Sequence, residues 1–254
     1  MTPTLVSRAS RVTGRPRVNG LAAILSRAMV DHFLPRVMGF GACEYFYRAD
    51  LGVTLNGTGV SGHADQSGKN VAARNYTQGT AANQPVFSGK GGGADQSYFD
   101  FNGTSHNLVT GAFAVAQPVT EFFVQKWDAA FAAPERAHDG RAAGFFLQRF
   151  PDSTTVNIFA GANLAGTVAA TTAWQYWKLV YNGGSSSISR NGTQASAGAA
   201  GANGVDGFTL GAANGAAAEF ANQSVSEQFG YSGSFSVAQE RRINAYLDGR
   251  YALR

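Results

Sequence analysis

The sequence predicts an all-β protein, an antiparallel two-sheet sandwich with an N-terminal arm and short helix before it and one helix behind it. Three observations predict this. Glycine occupies 32 of 254 positions while charged residues make up 14%, which suits tight turns and small-residue strands better than helices rich in Glu and Lys. Short β-rich runs alternate with turn clusters from Gly41 onward, at sandwich spacing. Most telling is the strand-like run 174–181, followed by a hairpin closed on Asn191-Gly192. That dipeptide supplies the two positive φ angles of a type I′ turn. At 44% hydrophobic, a chain of this length buries a core as one domain, which we place at residues 41–254 behind an arm at 1–40.

Residues 1–18 read as extended and polar, with Pro3 and Pro16 opposing helix. Asn19 then caps a short helix with Leu21, Ile24, Leu25, Ala28 and Met29 on one face, ending near Pro35. That face packs either on its own domain or on a neighbouring subunit. Strands are expected at 44–48, 98–102, 120–126, 144–150, 154–159, 174–181, 185–189, 207–210 and 224–231. In the third, Glu121-Phe122-Phe123-Val124 sends apolar side chains both ways, so this strand is central and covered on both faces. Residues 128–143 read as a long polar loop, a site for a functional excursion. Finally Ser236-Val237-Ala238-Gln239 fits a capping box, Ile243, Tyr246 and Leu247 recur at helical spacing, and Gly249 closes the helix.

Charge is partitioned along the chain. Residues 1–36 carry Arg8, Arg11, Arg15, Arg17, Arg27 and Arg36 against Asp31, a balance of +5, whereas the remainder balances at −1. The net +4 therefore reports an arm, and the charge of the main domain argues against nucleic acid. Leu21 to Leu25 is cut off by Ser26-Arg27 before it reaches the length of a secretory core, and no apolar run is long enough to span a bilayer. The arm has the Arg-rich, acid-poor composition of an organellar presequence, but we read it as a retained docking element. The single Cys43 excludes an intrachain disulfide and a multi-cysteine metal site.

Several segments, taken in order, resemble the concanavalin A-like (laminin G-like) jelly-roll superfamily across roughly Tyr45 to Leu253. These are Phe46-Tyr47-Arg48-Ala49-Asp50, Asp65-Gln66-Ser67-Gly68, Gln84-Pro85-Val86-Phe87, and Phe101-Asn102-Gly103 running to Leu108. The hairpin at 181–194 follows, then Gly207-Phe208-Thr209-Leu210-Gly211, and an ending made of Glu227, Tyr231 and Tyr246-Leu247-Asp248-Gly249-Arg250-Tyr251. The resemblance implies a jelly roll, mostly used for glycan binding or adhesion. Glucanases of the superfamily place their carboxylates as E-x-D-x-x-E on one strand, and Glu44, Glu121, Glu135, Glu219, Glu227 and Glu240 show no such spacing. Nor do His32, His63, His106 and His138 form a metal-ligating pair. The expectation is thus a protein that is not an enzyme and needs no cofactor.

Ligand-binding candidates are Trp127, Asp128 and Arg141, at the ends of the expected loop, with the indole offered as a plane for a sugar's apolar face. Trp174 and Trp177 compete with it, but at least one of these points inward, since 174 and 176 share a strand face and 177 takes the other. Asp65 and Asp95, in related Gly-rich turns, could hold Ca²⁺, although Asx turns explain them without an ion. Arg8, Arg11, Arg15 and Arg17 would dock on an acidic neighbour through bidentate pairs. Together these suggest a virion protein, a capsid decoration or tail-fibre component, with other virion subunits and cell-surface glycans as partners. The alternatives are a cytoplasmic carbohydrate-binding protein and a polysaccharide hydrolase or lyase.

Overall fold

The computed structural model describes residue 35 and residues 43–91, 96–128, 134–149, 155–216 and 218–253. Among the described residues the chain forms seventeen strands and one α-helix. The strands are β1 (Cys43–Arg48), β2 (Val53–Asn56), β3 (Gly59–His63), β4 (Tyr76–Thr77), β5 (Val86–Ser88), β6 (Tyr98–Asn102), β7 (Leu108–Thr110), β8 (Val119–Trp127) and β9 (Glu135–Gly140), then β10 (Phe146–Arg149), β11 (Thr155–Phe159), β12 (Asn163–Ala169), β13 (Gln175–Tyr181), β14 (Ser186–Arg190), β15 (Thr193–Gly198), β16 (Phe208–Leu210) and β17 (Asn222–Ser232). The helix α1 spans Val237–Tyr251.

All strand pairings among the described residues are antiparallel, and they do not separate into the two sheets expected. One arm runs β17, β8, β13, β14, β15. The other runs β4, β7, β16, β9, β10, β11, β12. Strands β6, β5 and β3 join them, because β17 pairs β6 with residues 222–225 and β1 with residues 227–231. At the far side the two edges meet through side chains. Ser196 Oγ donates to the Ala165 carbonyl at 2.8 Å, and the Thr167 hydroxyl donates to Ala195. The result is a nearly closed antiparallel sheet folded over one core, with its edge strands blunted.

Parity decides what fills that core. Along β8, Val119, Phe123 and Trp127 face inward and meet Tyr45, Phe99, Phe101, Trp177, Leu179, Tyr181 and Phe208. Each fully buried Phe adds about 1.5–3 kcal/mol of apolar burial. Gly230 on β17 is dictated by the same packing, since a Cβ there would lie 2.2 Å from the Tyr45 ring. The outward residues of the same strands, Phe122, Val124, Tyr176, Phe229 and Tyr231, form a second cluster under Ile243, Tyr246, Leu247 and Tyr251 of α1. The strand at 120–126 is thus covered on both faces, as its sequence predicts.

Three local expectations can be read off directly. Asn191 and Gly192 hold φ of 47° and 79°, the two left-handed residues of a type I′ turn between β14 and β15. Ser236 and Gln239 exchange both capping-box bonds. Gly249, expected to end the helix, lies inside it, and Ala252 takes the left-handed position with φ 51°. The extra residues are held by burial. Glu227 on β17 accepts the hydroxyls of Tyr246 at 2.8 Å and Tyr251 at 2.5 Å, while Arg250 reaches Asp50 at 2.8 Å and Asp50 also holds Arg48 at 2.6 Å. Burial pushes the Glu227 carboxyl up, and the two guanidinium groups and the two hydroxyls pull against it. At the same cluster Tyr231 donates to the carbonyl of buried Pro35 at 2.6 Å. The rest of the expected short helix, and Arg8, Arg11, Arg15 and Arg17, lie outside the described residues.

The core also contains ionisable groups. Glu121 on β8 faces His138 on β9 at 3.4 Å, both fully buried, and Glu121 accepts from Gln228, which in turn accepts the Tyr76 hydroxyl. The distance would suit an ion pair. We read both groups as uncharged, because removing two charges from water into an aromatic core costs more than one long contact returns. Burial pushes Glu121 up from 4.5 to about 8 and His138 down from 6.5 to about 3.

Two outcomes follow from this packing. Tyr251→Phe leaves Glu227 with one hydroxyl donor fewer and should cost about 1–3 kcal/mol in urea unfolding, with the sheet intact by circular dichroism. The pH profile follows from which state holds the proton. Glu121 is uncharged in the fold and charged in the unfolded chain between about 4.5 and 8, so its contribution is complete below 4.5 and drains as pH rises through 8. His138 contributes fully above 6.5 and loses its share as pH falls toward 3. Their slopes cancel between 4.5 and 6.5. Unfolding free energy should therefore fall by about 2 kcal/mol from pH 6.5 to 8, at about 1.4 kcal/mol per pH unit, and Glu121→Gln should flatten that decline. An unchanged slope in this variant would show that Glu121 is charged in the core.

Candidate functional site

The helix covers one end of the outer sheet face and leaves the other open. Outward parity on β8 continues from Phe122 and Val124 to Lys126, and on β6 it gives Tyr98 and Asp100, since Phe99 and Phe101 are in the core. Strand register sets Ser224 of β17 directly between Asp100 and Lys126. Its hydroxyl donates to Asp100 Oδ1 at 2.9 Å. Lys126 Nζ lies 3.5 Å from Asp128 Oδ1, with side chains 29% and 34% exposed. Oriented to face its acceptors, the Asn222 amide donates to Asp128 Oδ2 and to the Phe101 carbonyl, both at 3.0 Å.

An aromatic wall borders this row. Trp174, just before β13, shares the outward parity of Tyr176 and packs against the helix-side cluster. Its ring meets that of Tyr98 edge to face, centroids 5.7 Å apart, and both residues are half-buried. Together with Asp100, Lys126 and Asp128 they form a strip of partly exposed rings and hydrogen-bonding groups on the sheet, and the buried Ser224 hydroxyl beneath it holds Asp100. A sugar-binding face needs the same two things, an apolar plane and convergent polar groups around it.

Of the ligand-binding candidates Trp127, Asp128 and Arg141, the strip includes Asp128, and it takes Trp174 in place of Trp127. Trp127 has 0% exposure, because inward parity places it with Phe123 in the core, so it offers no plane to solvent and is corrected to a packing residue. Trp174 was weighed as a platform, and parity alone could not say which face of its strand was the wet one. The expected loop 128–143 is also corrected. Its second half is β9, an internal strand between β16 and β10, whose Glu135, His138 and Asp139 are all buried. Asp139 accepts from the backbone N–H groups of Gly140, Phe145 and Asn214 at 2.7, 3.1 and 2.9 Å, as well as pairing with Arg136. Arg141 sits beyond the end of β9, in a turn whose three N–H groups close on the Asp206 carboxylate. Asp128 lies at the Asn222 end, about 20 Å away along a six-residue strand, so the two do not converge.

The metal expectation is corrected for Asp65. Its carboxylate accepts Phe46 N–H at 2.9 Å, Ser67 N–H at 3.0 Å and the Ser67 hydroxyl at 2.6 Å, an Asx turn that ties β1 to the following loop. Asp95 lies outside the described residues. Among the described residues no group of three His, Cys, Asp or Glu is placed to hold a metal ion. Glu227, the strand glutamate of the sequence's closing motif, is closed off beneath α1.

No family model matches the chain. No curated protein matches it either. Solved structures do share its fold. Domain 4 of AbnA, a GH43 extracellular arabinanase from Geobacillus stearothermophilus, determined with arabinotriose, matches at a TM-score of 0.56 and 11% identity over 83% of this chain and 99% of that one. Trypanosoma rangeli sialidase in complex with sialic acid matches at 0.58 and 12%, over 89% of this chain but 38% of that one. The receptor-binding domain of botulinum neurotoxin type G matches at 0.53 and 9%, over 80% and 51%. The chain thus spans well under half the length of the sialidase. These likenesses establish a β fold that recurs in glycosidases and in a receptor-binding domain. They overturn the expectation that the chain is not an enzyme, because the fold occurs within an arabinanase and a sialidase, and a missing glucanase motif does not set it apart from them.

Proposed function

We propose that this chain is a carbohydrate-recognition domain whose binding face is the strip of Tyr98, Trp174, Asp100, Lys126 and Asp128. The observation that carries the reading is the outward, half-exposed Tyr98–Trp174 pair on the sheet face beyond α1, with acids and amides in register beside it. Support from outside the chain is the arabinotriose bound in the complex with the arabinanase domain and the sialic acid in that with the sialidase. On the charge partition we further propose that residues 1–36 dock the domain into a multi-copy assembly such as a virion, where weak single sites gain strength by repetition. Removing residues 1–34, which keeps Pro35 under Tyr231, should leave a folded domain that no longer joins its assembly.

Hydrolysis is the second reading. Asp100 and Asp128 are carboxylates that flank the aromatic pair on an accessible face, and the fold's presence in glycosidases favours testing them. Reducing ends released from arabinan and lost in Asp100→Asn would establish it.

The two tryptophans give the deciding experiment. Trp174→Ala should weaken binding on a glycan array about tenfold, the loss of roughly one stacking contact, at a cost in stability near 1 kcal/mol. Trp127→Ala should instead cost about 3–5 kcal/mol, as truncation of a buried aromatic does. Full glycan binding by Trp174→Ala would remove the strip from consideration.

A further inference from the structure

We infer that the strip selects uncharged oligosaccharides over acidic ones. The inference rests on the carbohydrate reading above and adds the class of sugar. An acidic sugar brings a carboxylate that must find a cation, and among the described residues the cation in the row is Lys126. It is already held by Asp128 at 3.5 Å. Arg48 and Arg250, guanidinium groups at the helix border, are buried at 4% and 9% exposure and are both committed to Asp50. With Asp100 exposed two strands away, the row carries two carboxylates against one ammonium. Within this row an incoming anion therefore meets net negative charge, the exposed Lys90 lying outside it in the loop beside Tyr98.

The same groups suit a neutral polyol. Ionised carboxylates only accept hydrogen bonds, and sugar hydroxyls are donors that cost far less to desolvate than a charge. Asp100 takes one hydrogen from Ser224 at Oδ1, and its remaining acceptor capacity lies on the strand that carries Tyr98. A ring stacked there with its C–H face on the indole directs its hydroxyls to the acids.

The test is an array of matched pairs, each neutral oligosaccharide printed beside its sialylated or uronate-bearing form, probed with the full chain in low salt. Neutral members should bind at least about fivefold better, the size of one unfavourable charge contact near 4 Å in water. Two variants report on the cause: Asp100→Asn with Asp128→Asn should narrow the gap, and Lys126→Ala should widen it. In 1 M salt the gap should shrink, since the Debye length falls to about 3 Å. Equal or tighter binding of the acidic members would overturn the selectivity and leave the carbohydrate reading standing. An array blank for every pair would overturn both.

Discussion

Because β8 and β17 pair along most of their length and are buried on both faces as far as Val124, the carboxyl groups they bury must be bonded or uncharged, and that requirement organises the rest of the molecule. Inward, it leaves Glu121 sharing a neutral interior with His138 and accepting from Gln228. Outward, it demands a cover for Phe122, Val124 and Phe229, and α1 provides one. The cover stops at Val124. Beyond it β8 presents Lys126, and this switch from apolar to polar along one parity of that strand is what leaves a partly exposed face.

The closing segment of the sequence acquires a physical meaning from this arrangement. A buried carboxylate on a strand could not remain without partners, and Tyr-x-x-x-x-Tyr near the helix end sets two hydroxyls on Glu227 together. Arg250 between them pairs with Asp50, which also holds Arg48. The residues that read as a family ending are therefore the lock between helix and sheet, and they say nothing of ligand. The helix runs past Gly249 for the same reason: Arg250 and Tyr251 gain more from these bonds than the chain gains by turning at glycine.

Legibility in the sequence followed locality. The Asn191-Gly192 turn and the Ser236 capping box are decided within four residues, and the both-ways apolar run at 121–124 needs only parity, so all three could be read. Strand β9 could not. Glu-Arg-Ala-His-Asp-Gly has a loop's composition, and it becomes an internal strand because Asp139 collects N–H groups from residues up to 75 positions away and His138 meets Glu121. Trp127 and Trp174 failed for a related reason. Both lie at the ends of strands with clear alternation, but which parity is wet depends on where α1 ends, and α1 lies 63 residues beyond Trp174 in sequence. The Asp65 turn was visible as either an ion site or an Asx turn, and only the approach of the Phe46 N–H decides.

The same fold inside an arabinanase, a sialidase and a neurotoxin receptor-binding domain, at 9–12% identity, means that very different sequences meet the same constraints of parity and burial. What the strip does is then set by a few side chains whose positions the core has already fixed. Tyr98 is placed because Phe99 is inward, Asp100 because Phe101 is, and Lys126 because Trp127 is. Each outward group is held by an inward neighbour that contributes packing energy, so the face is preorganised at no added entropic cost to a ligand. Under the proposed reading, a substitution of Asp100 or Lys126 should accordingly alter recognition with little effect on folding, whereas the same change one position along would act on the core. Function on this scaffold can change one side chain at a time without disturbing the fold that presents it.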